Sequence, residues 1–473
     1  MKSEWILLAL FVVTLPLVNP WVRGDGVGYY AMARAPLIEH SFDFRRDWYS
    51  ANTSFRMNRI DENDRIYPEQ FTKTGHLNNH FSIGPAILWA PFLIGAHAAV
   101  KLSHLFGSQV PADGFSAPYR LAMAVSTALY GFLALWLSFR LACRYVAERW
   151  ALLATLAIWF ASSLPVYMYF NPSWSHAHSA FAVALFLWYW DGTRAERSWV
   201  EWLILGVLAA LMMNVYYVNA VLLIIPLLES IIRYQQDYRA RQWDQIARSF
   251  VQNFMFAACV FAGFLPTLIS KKIIYGGYLN FGYTEKWFWN SPAILKVGFS
   301  SEHGLFSWTP VLLLAVIGLF FLGRIDRYLS LYLLVGFALY LYTIGCYEAW
   351  DGISSFGNRF FVSLTSLFIL GLAALLDALA HAWTERRAAL LARVAVAVLV
   401  LWNMGLIFQW GVHLIPARGP ISWREAAYNQ VAVVPEQASI AVYRYMTQRK
   451  SMMGRIEQED VGHLKPGQPE SNR

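Results

Sequence analysis

The chain is predicted to fold as an all-α, polytopic membrane helical bundle, and three observations carry that prediction. Of its 473 residues, 57% are hydrophobic and only 14% are charged, which is too apolar for an ordinary soluble domain. The apolar residues recur in runs of bilayer length. The chain also holds 21 Trp and 25 Tyr, side chains that favour the headgroup level where helix ends sit.

Taken in order, the apolar runs fall at about 5–22, 82–102, 118–139, 150–166, 176–190 and 199–213, then at about 214–230, 250–270, 308–323, 329–345, 359–377 and 392–412. They amount to roughly eleven to thirteen spans. The first follows Lys2 in the manner of a signal peptide. No small-residue cleavage site precedes Gly24, however, and Pro16, Asn19 and Pro20 suit the kinked end of a retained helix.

Loop charge assigns the sides. Arg140, Arg144 and Arg149, Arg194 and Arg197, Arg233 to Arg248, Arg324 and Arg327, and Arg386 to Arg393 mark short cytoplasmic loops under the positive-inside rule. Residues 23–81, 165–175, 271–307, 346–357 and those beyond 413 then lie outside. A cytoplasmic amino terminus and a cytoplasmic 140–149 loop conflict if 82–102 and 118–139 each cross once. The segment 82–102, interrupted by Pro85 and Pro91 and carrying His97 and Lys101, is the one expected not to cross fully. A single long span over 199–230 is the other resolution.

The net charge of +8 is absorbed by this topology, and no nucleic-acid partner is expected. Cys143, Cys259 and Cys346 lack metal or redox spacing. The first outer loop, 23–81, has balanced charge with aromatics, so it reads as a folded, interface-lying segment with juxtamembrane helices, one of them spanning Tyr29 to Ile38. Residues 413–473 read as a polar C-terminal tail, with about the last fifteen unstructured.

Five stretches hold the candidate functional residues. Gly24-Asp25-Gly26-Val27-Gly28-Tyr29-Tyr30 sets a lone carboxylate beside the first span. Asp25 there is either a general base or the cap of a helix starting near Val27. The stretch His76 to Pro85 places His80 at the next apolar entry, to bind phosphate or sugar or simply to be solvated. In Asn171-Pro172-Ser173-Trp174-Ser175-His176-Ala177-His178 the histidines are two apart and point away from each other on a helix, which weakens a metal reading. Ser301 to Pro310 carries His303, and Tyr347 to Phe360 carries Glu348, Asp351 and Arg359. Charges so near hydrocarbon are costly unless paired or in use. Arg359 offers a planar fork to a lipid phosphate, or else an ion pair to Glu348 or Asp351. All five stretches fall on the same side of the membrane.

In combination, the Gly-Asp-Gly-x-Gly-Tyr-Tyr setting, Gly84-Pro85-Ala86-Ile87-Leu88-Trp89-Ala90-Pro91-Phe92, His303 through Pro310, and Trp350-Asp351-Gly352 through Arg359 resemble bacterial integral-membrane glycosyltransferases. These form the GT-C superfamily, which includes the protein O-mannosyltransferases and lipid A aminoarabinose transferases. The likeness covers about residues 5–412, a transmembrane catalytic domain over 1–412 on this reading. It implies a polyprenyl-phosphate-linked sugar donor, a lipid, glycan or protein acceptor, inversion at the anomeric carbon, and a site on the outer face of a bacterial inner (plasma) membrane. Asp25 matches the catalytic acid. Gly26 stands where many relatives carry a second acid, so a divalent metal is left open, with Glu348 or Asp351 as substitute ligands. Arg359, Arg120 and His80 are expected at the phosphate, and Tyr30, His176 and His303 among the substrate contacts. No Gly-rich dinucleotide turn suggests a nucleotide-sugar site.

A transporter or flippase of a lipid-linked sugar is the alternative. It fits less well with a large folded first loop and with unusual residues clustered at one face instead of the midplane.

Overall fold

The computed structural model describes residues 2–382 and 385–463. It is all-helical; among the described residues only isolated β-bridges occur, and no strand. The principal helices are α1 (Lys2–Thr14), α2 (Asp25–Arg34), α3 (Gly84–His104), α4 (Ala117–Ala142), α5 (Glu148–Phe160), α6 (His176–Thr193), α7 (Trp199–Val215) and α8 (Ile224–Arg239). They continue as α9 (Trp243–Tyr275), α10 (Pro310–Leu322), α11 (Arg327–Cys346), α12 (Thr365–Ala382), α13 (Glu385–Gly411), α14 (Trp423–Ala432), α15 (Val434–Thr447) and α16 (Arg449–His463). Every predicted span overlaps a helix, although 214–230 and 359–377 each take in a 3-10 turn and the start of the helix that follows it. Among the described residues seven helices are long and apolar enough to cross a membrane, and α7 and α10 are apolar but shorter.

The centre of the bundle is α12, which follows a short 3-10 turn, Arg359–Leu364, and is apolar on every side. A helix hydrophobic all round belongs inside a bundle, and this one is almost wholly enclosed. It meets α10 backbone to backbone, because a side chain on Gly318 would lie 1.9 Å from the Gly371 carbonyl oxygen. Small residues at such a crossing let helices pack closely in an apolar surround.

The predicted cytoplasmic loops converge on one end. Arg140 pairs with Glu4 at 2.9 Å, Arg144 with Asp191 at 2.8 Å, and Arg194 with Asp326. Glu229 lies between Arg197 and Arg233. The Ser3 N–H reaches Glu148, so the amino terminus shares this end with the 140–149 loop.

How both can sit at one end follows from α3. The Ser82 hydroxyl donates to the Val215 carbonyl, at the far end of α7, about 25 Å from the arginine end at 1.5 Å per residue. From there Leu88 meets Tyr130, Trp89 meets Thr127 and His97 meets Tyr119. The helix therefore starts beside the middle of α4 and leaves past its first turn, without running from one end of the bundle to the other. Residues 199–230 do not form one helix, because extended backbone at Tyr216 separates α7 from the next turn.

The first loop is folded, as expected. Its short helix begins at Asp25, earlier than Tyr29, and passes through a π-helical turn containing Pro36 that ends at Glu39. Arg34 clamps it: its guanidinium holds Asp47 through two bonds of 2.6 and 2.7 Å and reaches Glu39 at 2.8 Å. Burial pulls the Arg34 pKa down, but its two carboxylate partners outweigh that and raise it.

The C-terminal stretch read as a polar tail instead forms α14, α15 and α16 up to His463. Residues beyond 463, where the unstructured end was expected, lie outside the described residues. The sequence reading missed these helices because their polar residues mask a repeat: Val434, Ala438, Ala441 and Tyr445 fall on one helical face and are the side chains turned inward.

Candidate functional site

At the end opposite the arginine belt lies a cavity of about 2460 Å³, well above the ~300–1,000 Å³ of ordinary small-ligand pockets. Its polar centre is an ion pair between Asp25 and Arg359, with Arg359 Nη1 2.8 Å from Asp25 Oδ2.

Asp25 is the first residue of α2. The cap position belongs to Gly24, whose φ of 53° lies in the region that favours glycine, so the capping alternative for Asp25 is not realised. Two more glycines set its position. A Cβ on Gly26 would fall 2.0 Å from Ser173 Oγ, and one on Gly28 2.1 Å from the Phe81 ring. The helix is thus seated flush against the 173–174 and 79–81 segments. Asn79 fixes it further by donating to the Gly28 carbonyl.

Arg359 opens the turn that leads into α12, so its backbone is held by the most enclosed element of the bundle. Its guanidinium lies over the Trp174 ring at 4.4 Å, and the Trp174 indole in turn donates to the Arg23 carbonyl. Expected partners Glu348 and Asp351 are occupied elsewhere. Glu348 accepts from the Lys286 N–H at 2.8 Å, and Asp351 closes its own turn onto the Ile353 N–H. Among the described residues Arg359 pairs with Asp25 alone. The contact is close, yet the Arg359 N–H directions miss the carboxylate, and Nε and Nη1 have no hydrogen-bond acceptor among the described residues. Asp25 keeps 34% of its side-chain surface exposed against 11% for Arg359. The cation is sequestered with spare donors, while the carboxylate is open to the cavity.

Of the other predicted site residues, His80 and His176 line the cavity together with Glu348 and Asp351. His176 is buried among Tyr167, Trp174 and Tyr216, and its Nδ1 lacks a hydrogen-bond partner among the described residues. Tyr30 and Arg120 are not on the wall. The Tyr30 hydroxyl is buried and donates to the Gly114 carbonyl, and Arg120 is exposed on the first turn of α4. His303 is also behind the wall. Its Nδ1 meets the Asp351 carbonyl at 2.9 Å, which makes that nitrogen the donor, and burial lowers its pKa despite the nearby Asp351.

Tyr29 and Trp174 were missed. Tyr29 lines the cavity, receives a hydrogen bond from Ser175 and has its pKa raised by burial. Nothing in a chain with 25 Tyr and 21 Trp distinguishes these rings from headgroup anchors. The one available signal for Trp174 was its place in a polar stretch beside His176.

The side chains do not fit the divalent metal left open by the sequence. Among the described residues no three His, Cys, Asp or Glu side chains converge, and Gly26 has no room for a second acid. What the site offers is a base open to the cavity, a cation with spare donors for an anion, and apolar walls. Val218, Val221 and Leu279 line the cavity, as do Leu401, Phe408 and Ala441 from the C-terminal part of the chain. No family model, curated protein or solved structure matches the chain.

Proposed function

We propose that the chain is a membrane glycosyltransferase that moves a sugar from a polyprenyl-phosphate donor to an acceptor hydroxyl, with inversion. The observation that carries this reading is the Asp25–Arg359 pair at the head of a large, half-apolar cavity. An amphiphile with an anionic head and a hydrocarbon chain matches each part of that space.

Asp25 takes the proton of the acceptor hydroxyl as its oxygen attacks the anomeric carbon. The bond from that carbon to the phosphate oxygen breaks, and the polyprenyl phosphate departs with the electron pair. Arg359 supports the growing charge with its own positive charge, an electrostatic contribution that counts most away from water. Attack opposite the departing phosphate inverts the centre. The arginine belt supports a cytoplasmic position for that end, which puts the cavity on the extracytoplasmic face of a bacterial inner membrane.

Binding of tritiated polyprenyl phosphate to the purified protein tests the assignment of Arg359. Losing a charged hydrogen bond costs about 1.5–3 kcal/mol, so Arg359→Ala should weaken binding roughly ten- to a hundredfold. Asp25→Asn should leave it equal or tighter, because the competing carboxylate is gone. Unchanged binding in Arg359→Ala would contradict the phosphate role.

A further inference from the structure

The C-terminal helices line the cavity that holds Asp25 and Arg359. We propose that α13 and α15 form the walls of a hydrocarbon-chain arm that holds the isoprenoid chain of the donor. This rests on the reading above for the identity of the headgroup.

The arm is continuous with the polar centre: Leu401, Met404 and Phe408 of α13 and Val434, Ala438 and Ala441 of α15 line the same cavity as Asp25 and Arg359. Both walls are apolar where they face each other. Ala438 and Ala441 are the small side chains that α15 gives the cavity wall. The floor is seated by Gln430, which presses on Gly405 so closely that a Cβ there would fall 2.1 Å from its Nε2, and which donates to the Leu401 carbonyl.

The wall is also tied to the segment that leads into Asp25. The Tyr445 hydroxyl donates to the Leu17 carbonyl, and Arg449 donates to the carbonyls of Pro16 and Val18. Glu457 accepts from the Ser54 N–H at 2.6 Å, and Asp460 meets Arg23 at 3.4 Å. Helix α15 also exposes Ile440 and Tyr443 on its outer side, as a helix lying in the lipid interface does.

The test uses the full chain in lipid nanodiscs and two probes with a photoactivatable diazirine in the isoprenoid chain, a polyprenyl phosphate and the matching polyprenol. Crosslinks are mapped by mass spectrometry. Both probes should label α13 and α15, and excess unlabelled polyprenyl phosphate should compete where excess phospholipid does not. Ala441→Trp fills the arm and should cut labelling about tenfold, the loss when roughly two methylenes leave apolar surface. Ile440→Trp, on the outer face of the same helix, should leave labelling unchanged and so controls for folding. Labelling of α13 and α15 by both probes that ignores Arg359→Ala would retain the arm and refute only the headgroup assignment. Label confined to residues 217–221 and 279–289, label displaced equally by phospholipid, or label indifferent to Ala441→Trp would overturn the arm.

Discussion

A carboxylate held against a guanidinium is usually a structural pair, and breaking a buried one is strongly destabilising. The Asp25–Arg359 pair departs from that pattern in two ways: the carboxylate is one-third exposed, and two guanidinium nitrogens lack acceptors. Both groups were legible in the sequence, Asp25 as a lone carboxylate among glycines beside the first span and Arg359 as a costly charge near hydrocarbon. Their partnership was not, because one lies in the first loop and the other opens the most enclosed helix, and nothing local links them. The glycines around Asp25 are legible only as permissive residues until Ser173 and Phe81 are found against them. That contact makes Gly26 testable. Gly26→Ala should lift α2 off the 173–174 segment, at the ~1–3 kcal/mol typical of overpacking, and lower the thermal midpoint. Gly26→Ala combined with Ser173→Gly should recover most of the loss. A Gly26→Ala protein as stable as the parent would show that the close packing is not a constraint.

At the scale of elements, the first loop is organised by charge. Arg34, Asp47 and Glu39 form a cluster in which Arg34 and Asp47 are almost wholly buried, and it closes the loop behind α2. The sequence shows balanced charge in this loop and so predicts folding, but many acid–arginine pairings satisfy that balance. Only the burial of Arg34 and Asp47 singles out this pairing. Removing one partner from a buried pair costs about 3–5 kcal/mol, so Asp47→Ala should unfold the loop well before the bundle. The check is limited proteolysis between residues 40 and 60 alongside a melting curve. Parental protease resistance in Asp47→Ala would place the clamp elsewhere. Helices α14 to α16 are the element that pattern reading lost, because a repeat of Val, Ala, Ala and Tyr is weakly apolar and sits among charges.

For the whole molecule, the places of the apolar helices were readable, with ends off by up to nine residues, since apolar runs of bilayer length have few alternatives. Depth was not readable. Hydropathy gives α3 the composition of a span, whereas its partners Tyr130, Thr127 and Tyr119 on α4 show where it starts and which way it runs. The same packing lets the amino terminus and the 140–149 loop share one end, and leaves the opposite end for the cavity. Apolar walls, a polar head and a carboxylate open to solvent make up one continuous space only because the bundle, the first loop and the C-terminal helices are assembled together. The central claim is that this space transfers sugar from a lipid phosphate with Asp25 as base. The most direct measurement is transfer of radiolabelled sugar from a panel of polyprenyl-phosphate sugars to membrane-extract acceptors, comparing purified parent with Asp25→Asn. Label should move with the parent and fall by about a hundredfold to ten-thousandfold in the variant, the range a positioned base supplies. Equal transfer by Asp25→Asn, or no transfer from any donor while lipid-linked sugar crosses a proteoliposome bilayer, would contradict it.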